Sequence, residues 1–198
     1  MNMDTLLSIL VGLGLSAACG FRIFVPLLVM SIAANAGELQ LGSAFQWIGS
    51  PGALAAFSLA TALEVGAYYI PWLDNFLDTL ATPASVVAGT IVTASMVTDM
   101  SPMLKWGLAV IAGGGLAAAV QTSTVFARGL SLVGTGGLAN PLIATAELGG
   151  SLLTAVAAIV APILAIVLLL LVVGIASWKF MSRRMRPAPP IIATTFSE

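Results

Sequence analysis

From Thr5 to Ala34 the chain carries one charged side chain, Arg22, and from Asn140 to Phe180 only two, Glu147 and Lys179. As helices rising about 1.5 Å per residue, these stretches would run about 45 and about 62 Å. The hydrocarbon core of a bilayer is only about 30 Å thick. Apolar runs of this length suit a membrane and little else. Composition agrees, because 8% of the 198 residues are charged where a soluble domain carries about 25%. A water-facing surface could not be covered. The sequence therefore reads as an all-α, polytopic integral membrane protein.

The first run overshoots the core and is expected to tilt, bend at Pro26 or protrude. Residues 35–51 read as a loop with Phe45 and Trp47 at the interface. A second span is expected over 52–70, closed by Tyr68, Tyr69 and Pro71, with Trp72 as an interfacial anchor. Pro71 to Asp78 read as a short amphipathic connector. A third span follows Pro83 and ends near Asp99, and a fourth runs from about Leu104 to about Arg128. Gly134 to Pro141 is a strong helix breaker, which either enters the membrane with free backbone groups or merely joins two helices outside it. The last run is too long for one span and breaks best at Ala161-Pro162. About six transmembrane helices result.

Two short patterns recur. Thr61-Ala62-Leu63-Glu64-Val65-Gly66 is echoed by Thr145-Ala146-Glu147-Leu148-Gly149, and Gly12 to Ala18 by Gly113 to Ala119, in the same order. The shared order suggests an internal duplication, with residues 1–100 as repeat one, 101–180 as repeat two and 181–198 as a basic cytoplasmic tail. Three spans per repeat would invert the second copy, the plan of many secondary transporters. Lys179, Arg183, Arg184 and Arg186 place the C-terminus in the cytoplasm under the positive-inside rule, and six spans put the N-terminus there as well. Met1-Asn2-Met3-Asp4 lacks the basic region of a cleaved signal peptide, so the first helix is expected to be retained. The setting expected is a cytoplasm-facing inner membrane.

The absence of His and the single Cys19 argue against zinc-type clusters, imidazole acid–base catalysis and an intramolecular disulfide. No cofactor is expected, and no enzyme activity, since a Gly-x-Ser-x-Gly elbow and paired catalytic aspartates in the spans are also missing. A net charge of −1 implies no nucleic-acid partner. Self-association into a homo-oligomer is left open.

An ionisable side chain inside a membrane segment is a functional-site candidate by default. Glu64 shares a helix face with Thr61 and Tyr68, and Glu147 with Asn140, Ser151 and Thr154. Each acid heads a polar stripe, as a hydrated cation path requires; the plainer reading is a buried carboxylate that only ties helices together. Arg22 cannot shed its charge and needs an acid inside the bundle, Glu147 being the better candidate; otherwise it snorkels to the interface. Gln121, Thr124 and Arg128 share one face. Gly12, Ser16 and Gly20 form a small-residue stripe for close helix packing. Asp74 and Asp78 read as ordinary solvated or capping residues, and Cys19 as a small buried hydrophobe.

Gly20-Phe21-Arg22-Ile23-Phe24-Val25-Pro26, Glu64 followed by Ile70-Pro71-Trp72-Leu73-Asp74, Pro83, Gln121 to Arg128, Thr135 to Pro141, Glu147 and Pro162 resemble the bacterial membrane proteins grouped as domain of unknown function 4126. The likeness covers residues 5–175. It implies a fold and no reaction. The family often has an Asp-Lys pair after the first glutamate, where this chain has Tyr68-Tyr69. A weaker likeness links Glu64-Val65-Gly66 and Glu147-Leu148-Gly149 to the Glu-x-Gly-Asp motif of cation/proton exchangers, without its Asp. The expectation is a small transporter or channel in which Glu64 and Glu147 bind a cation or proton. Asn140, Thr61 and Ser151 would be neutral ligands and Arg22 the counter-charge or anion anchor, with the metal, if any, unspecified. The rival is a non-transporting scaffold or assembly partner.

Overall fold

The computed structural model describes residues 2–168 and 171, and among them all regular structure is helical. Met1–Ile166 form one compact unit; of the residues beyond it Val167, Leu168 and Leu171 are described, all helical. The helices are α1 (Met3–Phe21), α2 (Phe24–Asn35), α3 (Pro51–Ala67), α4 (Pro71–Met96), α5 (Pro102–Leu108), α6 (Gly115–Thr135) and α7 (Asn140–Val160). A 3-10 turn occupies Ser43–Gly49, and a π-helical stretch, Ala109–Gly114, joins α5 to α6 without a break.

Among the described residues, four helical stretches are long and apolar enough to cross a membrane: Met3–Phe21, Phe76–Met96, Pro102–Thr135 and Asn140–Val160. The 3-10 turn and α3, bent by 64°, make a fifth if taken together. Of the sixth span only residues 162–168 and Leu171 are described, and they are helical; Lys179 and the basic tail lie outside the described residues. The connector expected at Pro71–Asp78 is instead the start of α4, which continues through Pro83. The fourth span runs seven residues past Arg128 to Thr135. The break at Ala161-Pro162 is present: α7 ends at Val160 and Ala161 leaves the helix at φ −144° and ψ 66°.

The first apolar run is not one span bent at Pro26. The helix stops at Arg22, which is extended (φ −146°, ψ 134°), and resumes at Phe24. The cause is still Pro26, because a proline ring clashes with the carbonyl four residues back and supplies no N–H to it; that carbonyl is Arg22's. The chain then reverses. Ten residues before the break, Gly12 packs on Thr93 and Met96. Eight residues after it, Met30 Sδ receives the Ser95 hydroxyl at 3.6 Å. Both arms therefore flank the C-terminal end of α4, and α1–α2 is a hairpin with its tip at Arg22–Ile23. At about 18 Å, α2 returns only part of the way through a bilayer.

The N-terminus and residues 36–50 thus emerge at one end of the bundle, beside residues 97–101; residues 68–70 and 136–139 lie at the other. That arrangement corrects the expectation that the first run crosses once. α3 and α7 run antiparallel, as inverted counterparts should. α1 and α6 run parallel, so the Gly/Ala echo does not mark an inverted pair.

α1 is the central helix, packed by α4, α6 and α7. Lipid tails are as apolar as leucine, so helices in a bilayer gain mainly by close van der Waals approach, which small residues permit. The stripe expected at Gly12, Ser16 and Gly20 serves this purpose. A Cβ placed on Gly20 would lie 2.5 Å from Val120 Cβ and 2.6 Å from the Ala117 carbonyl. Hydroxyls fasten the same contacts. Ser16 donates to the Gly113 carbonyl in the π-helical stretch, Thr93 to Gly12 (3.2 Å) and Ser151 to Ala18 (3.0 Å). Cys19 is fully buried.

Candidate functional site

The break at the hairpin tip creates a problem of unpaired backbone. The first amides of α2 have no partner in their own helix. Glu64, in the last turn of α3, supplies both: Oε1 accepts from the Ile23 amide at 2.8 Å and Oε2 from the Phe24 amide at 3.0 Å. A carboxylate at a helix N-terminus is also favoured by the helix dipole. Glu64 therefore caps α2 from a neighbouring helix.

One residue earlier the chain holds Arg22, only 2% exposed. Its Nη2 donates to the Ala144 carbonyl at 2.9 Å and lies 3.3 Å from Glu147 Oε2. This is the ion pair expected of Arg22, and burial excludes snorkelling. Arg128 reaches the same carboxylate from α6. Its Nε bonds Oε1 at 3.0 Å and its Nη2 bonds Oε2, a forked pair, while Nη1 sits 3.7 Å from Asp78 Oδ1 on α4. Tyr68, which ends α3, presents its ring to both cations, 3.6 Å from the Arg22 guanidinium carbon and 4.5 Å from that of Arg128. Such cation–π contacts are strongest where water is excluded.

Of the six residues expected at a site, the fold brings Glu64, Glu147 and Arg22 to one place. Ser151 is one turn beyond Glu147 and spends its hydroxyl on Ala18. Thr61, one turn before Glu64, has a buried hydroxyl bonded to no described residue. Asn140 opens α7, about 10 Å along the helix from Glu147. Arg128, Tyr68 and Asp78 complete the cluster and were not among the six. The signal for Arg128 was its shared face: Gln121, Thr124, Arg128 and Ser131 are all buried, whereas Thr122, Ser123, Phe126, Ala127, Gly129 and Leu130 between them are exposed. The side chains of Trp72 and Asp74 lie outside the described residues.

The Gly136 to Asn140 segment offers no free amides. Gly136 and Gly137 take positive φ (61° and 85°), a backbone that L side chains avoid and glycine does not. The amides of Gly137, Leu138, Ala139 and Asn140 are all bonded within the turn. It is a tight helix–helix connection.

Glu64 and Tyr68 also line the floor of an apolar cleft of about 820 Å³ between α3 and α4, with Phe24, Leu63 and Leu77 among its walls. A second apolar cleft of about 550 Å³ adjoins it, sharing Ile23, Leu80 and Ala84. Among the described residues no group of three or more His, Cys, Asp or Glu side chains could hold a metal ion.

The cluster thus has one carboxylate shared by two permanent cations, one carboxylate occupied as a helix cap and one aromatic ring between them and an apolar cleft. No curated protein and no solved structure matches the chain. The family described as Domain of unknown function (DUF4126) matches residues 9–182, nearly the whole sequence and every residue of the cluster, and the chain belongs to that family.

Proposed function

We propose that the protein is a small inner-membrane transporter or channel. Glu147, seconded by Glu64, would take up a proton or small cation, with Arg22 and Arg128 as resident counter-charges. The supporting observation is the single buried carboxylate shared by two guanidiniums at the reversal of a helical hairpin. An ionisable side chain inside a membrane segment is costly, and helix packing alone does not require four of them. Arginine keeps its charge at any working pH, so a proton or cation entering the cluster acts on Glu147. When Glu147 is neutralised, Arg22 loses its acid and the hairpin tip is held by Glu64, the Ala144 carbonyl and the Tyr68 ring. That is a two-state element of the kind a gate needs. The reading contains no catalytic step.

Proteoliposomes carrying an internal pH dye and a panel of alkali cations test this. Vesicles with the natural protein should dissipate an imposed gradient faster than empty ones, and Glu147→Gln should remove the excess. Equal rates with and without protein, for protons and every cation tried, would sink the proposal.

The scaffold reading has its own support. Both oxygens of Glu64 hold amides and Glu147 is already neutralised, which is how polar glue between helices looks. It is favoured if Glu147→Gln lowers stability while flux was never present.

A further inference from the structure

Arg22 is the most deeply buried cation of the cluster, and two of its nitrogens, Nε and Nη1, are bonded to no described residue. A buried guanidinium donor without an acceptor is costly. Here the remaining nitrogen, Nη2, carries both the Ala144 and Glu147 contacts, so the guanidinium is anchored at one corner with donors to spare. We infer that Arg22, with Arg128 and Tyr68 beside it, forms an oxyanion site, and that the anion binds together with one proton on Glu147. This rests on the proton-site reading above and names its co-substrate class.

The charge balance dictates the coupling. Glu147 faces Arg22 at the hairpin tip and Arg128 on α6; Tyr68 on α3 faces both arginines, Glu64 on α3 caps the residues after Arg22, and Asp78 on α4 faces Arg128. Three carboxylates already balance two guanidiniums and the positive end of α2. A further anion would leave the cluster overcharged in a medium that tolerates little net charge. Protonation of Glu147 removes that excess and frees part of the two guanidinium edges for the newcomer. The proton goes from water to the Glu147 carboxylate, the anion takes up the vacated N–H donors, and no other bond changes.

Two sources share this chemistry. A free anion would reach the cluster past Asp78, whose side chain is 16% exposed. The headgroup of a single-chain amphiphile would reach it from the apolar cleft, where Tyr68 is the wall between tail space and guanidiniums.

The test uses the full chain in phosphatidylcholine nanodiscs, titrated calorimetrically with methanesulfonate and with dodecanesulfonate, neither of which titrates near neutrality. Saturable binding of at least one is expected, strengthening about tenfold per pH unit of acidification, with one proton taken up per anion in weak buffer. Glu147→Gln should bind with an affinity independent of pH, and Arg22→Gln should lose at least tenfold while Arg22→Lys keeps part. Ala84→Trp, which narrows both clefts, should weaken only the long-chain sulfonate if the headgroup route is used, and neither if the route is aqueous. Absence of saturable binding above empty discs, or binding without proton uptake, overturns the inference for the natural protein, whatever the variants do. Cation or proton flux without sulfonate binding defeats this inference and spares the transporter reading. Sulfonate binding with proton uptake, in a protein that moves no ion, does the reverse.

Discussion

Glu147 and Arg22 are not equivalent partners, and their removal should not cost the same. Without Glu147, two buried guanidiniums lose their shared carboxylate; without Arg22, Glu147 keeps the forked pair with Arg128. Breaking a buried pair by deleting one member costs about 3–5 kcal/mol. Glu147→Leu should fall in that range and Arg22→Leu clearly below it, measured by reversible unfolding in mixed micelles. The reverse order would mean that Arg128 does not hold Glu147 in the bilayer. The swap Arg22→Glu with Glu147→Arg should rescue little, because the new arginine would face Arg128. Glu64 belongs to a different category, that of a helix cap. Glu64→Ala should cost about 0.5–2 kcal/mol and speed hydrogen exchange at the Ile23 and Phe24 amides while leaving α4 and α6 amides protected. Unchanged exchange at those two amides would remove Glu64 as the cap. The acids and Arg22 were readable in the sequence because each is an isolated charge in an apolar run. Arg128 was read as the end of the fourth span, and sequence alone cannot separate a terminal arginine from one held inside by a distant acid.

At the scale of elements, α1 is held by close-fitting surfaces that hydroxyls fasten. Gly20 meets Val120 and the Ala117 carbonyl so closely that no side chain fits without moving α6. Gly20→Leu should therefore destabilise by about 1–3 kcal/mol or more, whereas Gly149→Leu, where a Cβ meets nothing within 4 Å, should be near neutral. Equal effects at the two positions would show that the α1–α6 approach is looser in the membrane. Of the six spans expected, four or five were legible from hydropathy among the described residues, and the Ala161 break was legible from the proline after it. The hairpin was not. Apolar residues look alike whether the chain goes on or turns back, and the reversal uses only Arg22 and Ile23. The length of α4 was also hidden, because Pro83 reads as a start when it is in fact tolerated inside the helix.

For the whole molecule, the hairpin decides which loops share a side. With Cys19→Ala as background, cysteines at Glu38 and Ser101 and a tag at the N-terminus should all be reached by an impermeant reagent from one side of the membrane, and a cysteine at Leu138 from the other. An N-terminus on the Leu138 side would restore the single crossing and undo the hairpin. The hairpin also has a history written into its contacts. Glu64 is synthesised about 41 residues after the Ile23 amide it caps, whereas the Ala144 carbonyl that Arg22 needs comes about 122 residues after it. At about 5–20 residues per second, the nascent chain waits roughly 6–25 s with its arginine at the bilayer and no acid from α7 to meet it. The tip is thus fastened in two stages, first by α3 and then by α7. A chain truncated after Ala139 is arrested between them. It should be degraded faster than the full chain in a pulse-chase, and Arg22→Leu should lengthen the life of the truncated chain while shortening that of the whole one. One substitution would then act in opposite directions on either side of the moment at which α7 arrives.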